Sequence, residues 1–163
     1  MTIIITGTST GIGFTLAEYF GKKGHKVFGL SRKNVESQYF TTIPTDITDN
    51  AQVQAAISEI LKTESRIDVL INNAGMGMVG AVEDSTKEDI LKLFNLNLVG
   101  AVQMMSAVMP KMREQKSGKI INISSIGSEM GLPFRGFYSA SKSALDKVVE
   151  AMRYEVYQWN VEV

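Results

Sequence analysis

The segment TIIITGTSTGIG, at residues 2–13, decides the fold of this chain. Its first part is a β-branched apolar run without polar alternation, which predicts a strand buried on both faces of a parallel sheet. A glycine-rich turn follows at once, and the apolar periodicity of residues 14–20 then predicts a helix that ends at Gly24. A second strand is predicted at residues 25–30. Strand, turn, helix and strand in this order can place backbone N–H groups against a pyrophosphate.

The glycines of this turn are Gly7, Gly11 and Gly13, with three residues and then one residue between them. This spacing differs from the general G-x-G-x-x-G fingerprint of dinucleotide-binding folds. The position of the turn between a strand and a helix favours a phosphate-binding role all the same. A purely structural glycine-rich turn is the alternative interpretation.

The residues that end the second strand bear on the choice between NAD and NADP. An NAD site usually places an acidic group there for the ribose hydroxyls, whereas an NADP site offers a cation to the 2′-phosphate. This chain has Ser31, Arg32 and Lys33, and its next carboxylate is Glu36. We therefore predict NADP(H) rather than NAD(H), with Arg32 as the first candidate for phosphate contact and Lys33 as the second. A solvated basic turn is the alternative.

Three further strands are predicted between helical patterns, at residues 39–45, 67–71 and 118–123. Asp49 with Gln52, and Ser85 with Glu88, have the spacing of capping boxes that open the second and third helices. Strands and helices that alternate along the whole chain predict one α/β domain, residues 1–163. Its expected architecture is a Rossmann-type doubly wound parallel sheet with helices on both faces.

Two polar residues, Asp46 and Asn97, each have a ligand-binding and a purely structural interpretation. Asp46 follows the third strand, where its carboxylate could accept from an adenine amino group or could form a turn, and both interpretations stay open. Asn97 and Gly100 interrupt an apolar helical run, which suggests a local break or bulge of the kind often found at functional sites. A tolerated polar residue is the alternative for Asn97.

Composition excludes several classes of function. Lys and Arg total 17 and Asp and Glu total 17, so the chain has no basic field for nucleic acid or an anionic membrane surface. It has no cysteine and one histidine, which excludes disulfides, thiolate metal sites and a His-rich metal site. No apolar run of the sequence reaches membrane-spanning length. We expect a cytoplasmic protein without a nucleic-acid or membrane partner.

Tyr138 and Lys142 are the candidate proton-transfer pair. They are four residues apart in a predicted helix, so they share one face and lie one turn from each other. An ammonium beside a phenol stabilises the phenolate, which favours proton transfer. An aromatic residue with a solvated lysine neighbour is the alternative. The strand at residues 118–123 delivers Ser124 and Ser125 to its carboxyl end, the edge where open α/β sheets hold ligands.

Five sequence elements together resemble the signature of the short-chain dehydrogenase/reductase family. They occur in the family's order: Thr6-Gly7-x-x-x-Gly11-Ile12-Gly13, Asn72-Asn73-Ala74-Gly75, Asn97, Ser125 and Tyr138-x-x-x-Lys142. Ser125 also lies thirteen residues before Tyr138, as that signature expects. The resemblance spans essentially the whole chain.

The resemblance implies a role for each matching residue in carbonyl reduction and alcohol oxidation. Tyr138 would be the general acid or base, Lys142 would stabilise its anion and hold the nicotinamide ribose, and Ser125 would donate to the substrate oxygen. Asn97 would hold a water that links Lys142 to solvent. The implied cofactor-binding residues are Gly7, Ser9, Thr10, Gly11, Ile12, Gly13, Arg32, Lys33, Asp46, Ile47, Asn73, Ala74, Gly75, Tyr138 and Lys142.

The resemblance further implies an NADP(H)-dependent oxidoreductase with a small-molecule carbonyl or alcohol substrate. An apolar or amphipathic substrate is suggested by Met76, Met78, Met130, Leu132, Pro133 and Phe134. In this family two long helices often pack across a two-fold axis, so we expect a homodimer or homotetramer. The outer face of the last helix, with Ala144, Val148 and Ala151, suits such packing. A non-catalytic dinucleotide-binding module that senses the cofactor is the alternative function.

The chain departs from the family pattern at its last residues. The family's domain continues past the Tyr-Lys helix with two more strands and a substrate loop. Here residues 159–163 end the sequence as a sixth strand begins. We therefore expect this sequence to be part of a longer protein, because the sequence itself lacks the family's C-terminal strands.

Overall fold

The computed structural model describes the whole chain, residues 1–163. Its strands are β1 (Thr2–Thr6), β2 (Lys26–Ser31), β3 (Thr41–Pro44), β4 (Val69–Asn72), β5 (Gly118–Asn122) and β6 (Val161–Glu162). They form one sheet in the order β3-β2-β1-β4-β5-β6, and all neighbours are parallel. The direction of the strand order reverses between β1 and β4, which is the point where doubly wound sheets bind ligands.

Helices lie on both faces of the sheet. They are α1 (Gly11–Lys22), α2 (Asn50–Thr63), α3 (Lys87–Phe94), α4 (Ala101–Gln115) and α5 (Gly136–Val156). A core cluster of 23 buried residues joins α2, α4 and α5 to one face, and a smaller cluster of six buried residues joins α1 and Phe40 to the other. The predicted Rossmann-type doubly wound sheet is thereby confirmed, and the predicted strands and helices are present with ends shifted by a few residues.

β1 is the central strand, as its sequence predicts. All five of its residues are buried, and it pairs with β2 on one side and β4 on the other. β-branched side chains suit this position because they pack well on both faces of a pleated sheet. The edge of the sheet formed by β6 is less buried than β1. There β6 pairs with β5 only through Val161 and Glu162, and Ile121 in β5 is 40% exposed.

The two capping predictions hold in part. Asp49 caps α2 by accepting from the N–H groups of residues 51 and 52, but the Gln52 side-chain oxygen accepts from the Asp46 N–H and not from the capping residue. For α3 the predicted cap is wrong by one residue. Thr86, not Ser85, accepts from the N–H of residue 89, because the helix begins at Lys87. Ser85 instead donates back to the Ala81 carbonyl.

The helix that runs from α3 through α4 is the long helix that the sequence predicts after residue 85. Residues Lys87–Gln115 form 29 continuous helical residues that are, by length and composition alone, apolar enough to cross a membrane. Half of the most apolar window is buried inside the fold, where residues such as Met104 and Met112 join the main core. The core helix of a globular domain passes the same test, so this finding is weak evidence for a membrane span.

Candidate active site

The turn between β1 and α1 forms one wall of a cleft at the carboxyl edge of the sheet. Gly7 has a φ of +74°, and an added Cβ would lie 2.8 Å from the Ala74 Cα. At Gly13 an added Cβ would lie 2.4 Å from the Gly7 carbonyl oxygen. Both positions therefore require glycine, because the turn packs directly against the residues that follow β4.

Thr6 and Asn73 fasten this turn to the end of β4. The Thr6 hydroxyl accepts from the N–H groups of Asn73 and Ala74, each at 3.0 Å. The Asn73 amide donates in return to the Thr6 carbonyl at 3.0 Å and to the Gly7 carbonyl at 3.3 Å. These reciprocal bonds fix two strand ends relative to each other and leave a rigid concave surface between them.

The N-terminus of α1 opens into the cleft without a side-chain cap. Thr10 occupies the N-cap position but accepts no bond from the helix, and the first turn carries no acidic residue. Gly11 has a φ of +62°, and an added Cβ there would meet no atom within 4 Å. Uncapped N–H groups and the positive end of the helix dipole bind anions, so the turn fits the pyrophosphate of a dinucleotide.

The cleft has a volume of about 690 Å³ and contains most of the predicted cofactor residues. Those that line it are Gly7, Ser9, Thr10, Ile12, Arg32, Asp46, Ile47, Asn73, Ala74 and Gly75. Five predicted residues do not line it, namely Gly11, Gly13, Lys33, Tyr138 and Lys142. Gly13 is buried under the turn, Gly11 lies exposed at the start of α1, and Lys33 is exposed next to Arg32. The Ser31 hydroxyl donates to the Lys33 carbonyl at 2.7 Å.

Met76, which was expected to line the substrate site, also lines the cleft. Sequence reasoning missed seven further lining residues: Leu30, Ser31, Thr45, Thr48, Lys92, Asn95 and Leu96. The last three come from α3 and the segment after it, which the sequence analysis treated as one core helix. The four-residue spacing of Lys92, Leu96 and Gly100 could have revealed two of these three. Gly100 packs on Ile47 and Gln103 donates to the Ile47 carbonyl at 3.2 Å, so Leu96 and Lys92, one and two turns earlier, face the same cleft.

Asp46 forms a turn, which was one of its two open interpretations. Its Oδ1 accepts from the Thr48 N–H at 2.9 Å and from the Thr48 hydroxyl at 2.7 Å. The residue is also half-buried in the cleft wall. Its turn role uses one carboxylate oxygen, so the other remains available to a ligand.

Asn97 lies in a π-helical segment, Asn95–Gly100, that joins α3 to α4. Of the two interpretations given for Asn97, the local break is therefore the one observed. The Asn97 side chain is 1% exposed, accepts from the Met76 N–H at 2.8 Å and donates to the Met76 carbonyl at 2.9 Å. Its amide also donates to the Ser141 hydroxyl at 3.1 Å. The wide helical turn thus ties the loop after β4 to α5, the helix that carries the candidate pair Tyr138 and Lys142.

Lys142 is a buried cation next to Gly75, which lines the cleft, although Lys142 itself does not line it. It is 6% exposed, and its Nζ donates to the Ile123 carbonyl at 2.7 Å. A Cβ added at Gly75 would lie 3.7 Å from this Nζ and 3.2 Å from Asn97 Oδ1. Burial lowers the pKa of Lys142, and the nearby carboxylate of Asp146 opposes this shift in part. The ammonium therefore lies between the ends of β4 and β5.

Ser125 and Tyr138 complete the predicted catalytic set. Ser125 Oγ accepts from the Gly127 N–H at 3.1 Å, which leaves its own proton free to donate. Tyr138 is half-buried, and its carbonyl accepts from the Ser141 hydroxyl at 2.8 Å, while its phenolic hydroxyl has no partner within the protein. The structure thus leaves both hydroxyls available to a ligand.

Comparisons with known proteins identify a matching family and several relatives of this chain. The family model described as short chain dehydrogenase matches residues 1–163. A 3-ketodihydrosphingosine reductase of Bacteroides thetaiotaomicron is 45% identical over 162 residues, which cover 99% of this chain and 60% of that protein. A probable short-chain type dehydrogenase/reductase of Helicobacter pylori is 33% identical, over 98% of this chain and 61% of that protein.

Solved structures give the same result. A short-chain dehydrogenase from Streptomyces avermitilis is similar with a TM-score of 0.94 and 32% identity, covering 99% of this chain and 62% of that one. The structure described as ElxO with NADP bound has a TM-score of 0.94 and 29% identity, covering 99% and 70% respectively. The chain thus spans about three fifths of the length of the curated relatives described above.

Proposed function

The chain belongs to the short-chain dehydrogenase/reductase family, and on that premise we propose that it is an NADP(H)-dependent oxidoreductase that interconverts a carbonyl compound and its alcohol. The observation that carries the proposal is the buried Lys142 ammonium beside Gly75, a residue that lines the cleft. A buried cation without a salt bridge is costly to a fold. Its presence at the ligand-binding edge of the sheet supports a chemical role.

In this proposal the chain's residues position the reactants and move a proton. Bound NADPH would supply the hydride, and its oxidised form would accept one in the reverse direction. Tyr138 gives a proton to the substrate oxygen in reduction and takes it back in oxidation, with Lys142 stabilising the phenolate. Ser125 donates to the same oxygen as negative charge develops. Asn97 holds the Met76 loop in place and is the proposed site of a relay water.

The choice of NADP over NAD is supported by the charges in the cleft. Its lining carries two cations, Arg32 at the end of β2 and Lys92 from α3, and one carboxylate, Asp46, which is partly used by its turn. A 2′-phosphate is favoured by cations at this place, whereas a free ribose is favoured by a carboxylate. The similar structure with NADP bound gives independent support.

An apolar or amphipathic substrate is supported by the loops around the site. Val79, Ile126, Met130 and Phe134 are between 63% and 82% exposed, and the Gly80 N–H donates to the Phe134 carbonyl at 2.9 Å, which joins the two loops. Exposed apolar residues that are grouped beside a polar site mark a binding surface. The relative from Bacteroides is named a 3-ketodihydrosphingosine reductase, so this ketone is the first substrate to test.

The decisive experiment is the substitution Tyr138→Phe. NADPH consumption is followed with 3-ketodihydrosphingosine and a panel of shorter ketones and aldehydes, and NADPH affinity is measured in parallel. Turnover is expected to fall by about a thousandfold with unchanged NADPH affinity, because the proton donor is lost while the cofactor contacts remain. Tyr154→Phe is the matched control, since Tyr154 lies on the same helix and is 80% exposed. Full turnover in Tyr138→Phe contradicts the mechanism.

A non-catalytic, cofactor-sensing module remains the competing function. It predicts NADPH binding without turnover of any carbonyl compound in the whole protein. The free hydroxyls of Ser125 and Tyr138 favour the enzyme, because a sensor needs neither of them. The panel described above distinguishes the two functions directly.

We further propose a cytoplasmic homodimer or homotetramer without a membrane or nucleic-acid partner. Support comes from the outer face of α5, where Val148 is 37% exposed and Ala151 is exposed, while Ala144 is half-buried. Small apolar residues on a helix face allow close packing against a symmetry-related copy. Light scattering that shows only a monomer would contradict this assembly.

A further inference from the structure

Consecutive residues at the end of β5 hold α5 at two points one helical turn apart. The Ile123 carbonyl accepts from Lys142 Nζ at 2.7 Å, and the Ser124 hydroxyl donates to Asp146 Oδ2 at 2.9 Å. The next residue, Ser125, presents the hydroxyl proposed to bind the substrate oxygen. The bond between Ser124 and Asp146 therefore lies next to Ser125 in sequence on one element and one helical turn from Lys142 on the other.

Asp146 also bears on the charge of Lys142. The two residues are four apart on α5, so their side chains lie on one face. Lys142 forms no salt bridge, and the single charge that acts to stabilise its ammonium is the Asp146 carboxylate. Burial disfavours the charged form of a lysine, whereas a nearby carboxylate favours it.

The other side of Asp146 faces a second cavity of about 480 Å³ between α5 and the loop at Ser128. The charged residues that line this cavity with Asp146 are Glu129, Lys147, Glu150 and Arg153. Lys147 and Glu150 form a salt bridge at 2.6 Å, so they largely neutralise each other. These groups lie on the solvent side of Asp146, and none of them acts on Lys142.

We propose that Asp146 is a positioning residue of the active site: its bond to Ser124 fixes α5 against the end of β5, and its carboxylate holds the buried Lys142 in the ammonium form. The consequence for turnover rests on the proposed oxidoreductase function. The consequence for the charge of Lys142 does not, because it follows from the fold alone.

The direction of the pH effect follows from these contacts. Without the Asp146 charge, burial alone acts on Lys142 and lowers its pKa further, so the ammonium loses its proton at lower pH. Tyr138 then loses the charge that stabilises its phenolate. The alkaline limit of activity is expected to move to lower pH, in the same direction as the titration of Lys142.

The first test follows Lys142 directly, by NMR titration of carbon-13-labelled lysine side chains, with its signal assigned by its absence in Lys142→Met. Asp146→Asn removes the charge but keeps an oxygen that can accept from Ser124. The titration midpoint of Lys142 should move to lower pH in Asp146→Asn. It should stay unchanged in Glu150→Gln, which removes an acid from the same helix and the same cavity. Asp146→Glu restores the charge and should restore most of the midpoint.

The second test measures NADPH-linked turnover against pH. Asp146→Asn should lower kcat by about tenfold with little change in the KM for NADPH, as part of the acid–base contribution is lost. Its alkaline limb should move to lower pH. Ser124→Ala keeps the charge and removes the hydrogen bond, so it should leave the Lys142 midpoint in place while it lowers kcat by about threefold.

Two results would overturn the proposal. An unchanged Lys142 midpoint in a folded Asp146→Asn protein removes the role of the charge, and an unchanged kcat in Ser124→Ala removes the role of the bond. If Asp146→Asn does not fold, the Lys142 midpoint in Asp146→Ser, which also removes the charge, decides the first point. A wild-type protein with no turnover contradicts the proposed function but leaves the NMR titration as a complete test of the charge.

Discussion

The proposed nucleotide end and the proposed proton-transfer end of this site are built by different means. At the nucleotide end, backbone atoms make the surface, and Gly7 and Gly13 are there because a Cβ would collide with the neighbouring turn. At the proton-transfer end, polar side chains such as Asn97 and Lys142 are buried and held by bonds from distant elements. The first end is therefore vulnerable to added volume, and the second to altered charge and lost hydrogen bonds.

Substitution of Lys142 by Met separates activity from stability at the proton-transfer end. We expect kcat to fall by about a thousandfold, because the phenolate loses its charge partner. The melting temperature should instead rise by about 2 °C, since a buried ammonium is replaced by an apolar side chain of similar length. Turnover assays and calorimetry measure the two effects. Lys147→Met is the control, because Lys147 lies on the same helix with its side chain 81% exposed.

The same variant should lose a pH dependence of stability. The folded-state pKa of Lys142 is lowered by burial, so the unfolded chain keeps its proton to higher pH than the folded chain. The stability of the wild type should therefore rise with pH between the lowered folded pKa and the ordinary lysine pKa, and below that window the cost of burial is fully present. Lys142→Met should lack this rise. A melting temperature that falls at every pH would contradict the assignment of Lys142 as a destabilising group.

Substitution of Gly13 by Ala tests the backbone-built end. The new Cβ would lie 2.4 Å from the Gly7 carbonyl oxygen and from Asn73 Nδ2, so the turn has to move. We expect a loss of about 3 kcal/mol in the free energy of unfolding, and weaker NADPH binding because the uncapped N–H groups of α1 shift with the turn. Chemical denaturation and calorimetric titration measure these quantities. Gly131→Ala is the control, since a Cβ there meets no atom within 4 Å. Equal free energies of unfolding for the two variants would show that the turn can shift at little energetic cost, which contradicts the prediction.

Local sequence patterns predicted the nucleotide end well because its determinants are contiguous. The apolar run of β1, the glycine-rich turn and the start of α1 lie within residues 2–13, and strand, turn and helix are present as expected. The ambiguity at Asp46 was also local, and the observed turn with Thr48 uses bonds across two residues. Patterns of this kind report backbone geometry, which short-range sterics control.

The proton-transfer end could be predicted only in part because its contacts are distant in sequence. A break near Asn97 was one of two open interpretations, and the side chain in its π-helical turn bonds to Met76, 21 residues earlier. Lys92 was overlooked because it reaches the cleft only when its helix packs beside the loop after β3. The four-residue spacing singled out Tyr138 and Lys142, and the resemblance to the family supplied a role for Ser125, in both cases without the surroundings of these residues. No local sequence pattern predicts the hydrogen bond between Ser124 and Asp146, which are 22 residues apart.

The smallest expected effect distinguishes two neighbouring cations at the nucleotide end. Arg32 lines the cleft, whereas Lys33 is exposed outside its lining. A charge-assisted hydrogen bond is worth about 1.5–3 kcal/mol, so Arg32→Asp should lower the preference for NADPH over NADH by about 10- to 100-fold. Lys33→Asp makes the same charge change one residue away and should alter the preference by less than about threefold, as screened surface charges do.

Dissociation constants for 2′,5′-ADP and 5′-AMP report the effect of both variants without turnover. Equal effects of the two variants would mean that the preference comes from the general charge of the turn, and a larger effect of Lys33→Asp would reverse the order in which the two residues were assigned.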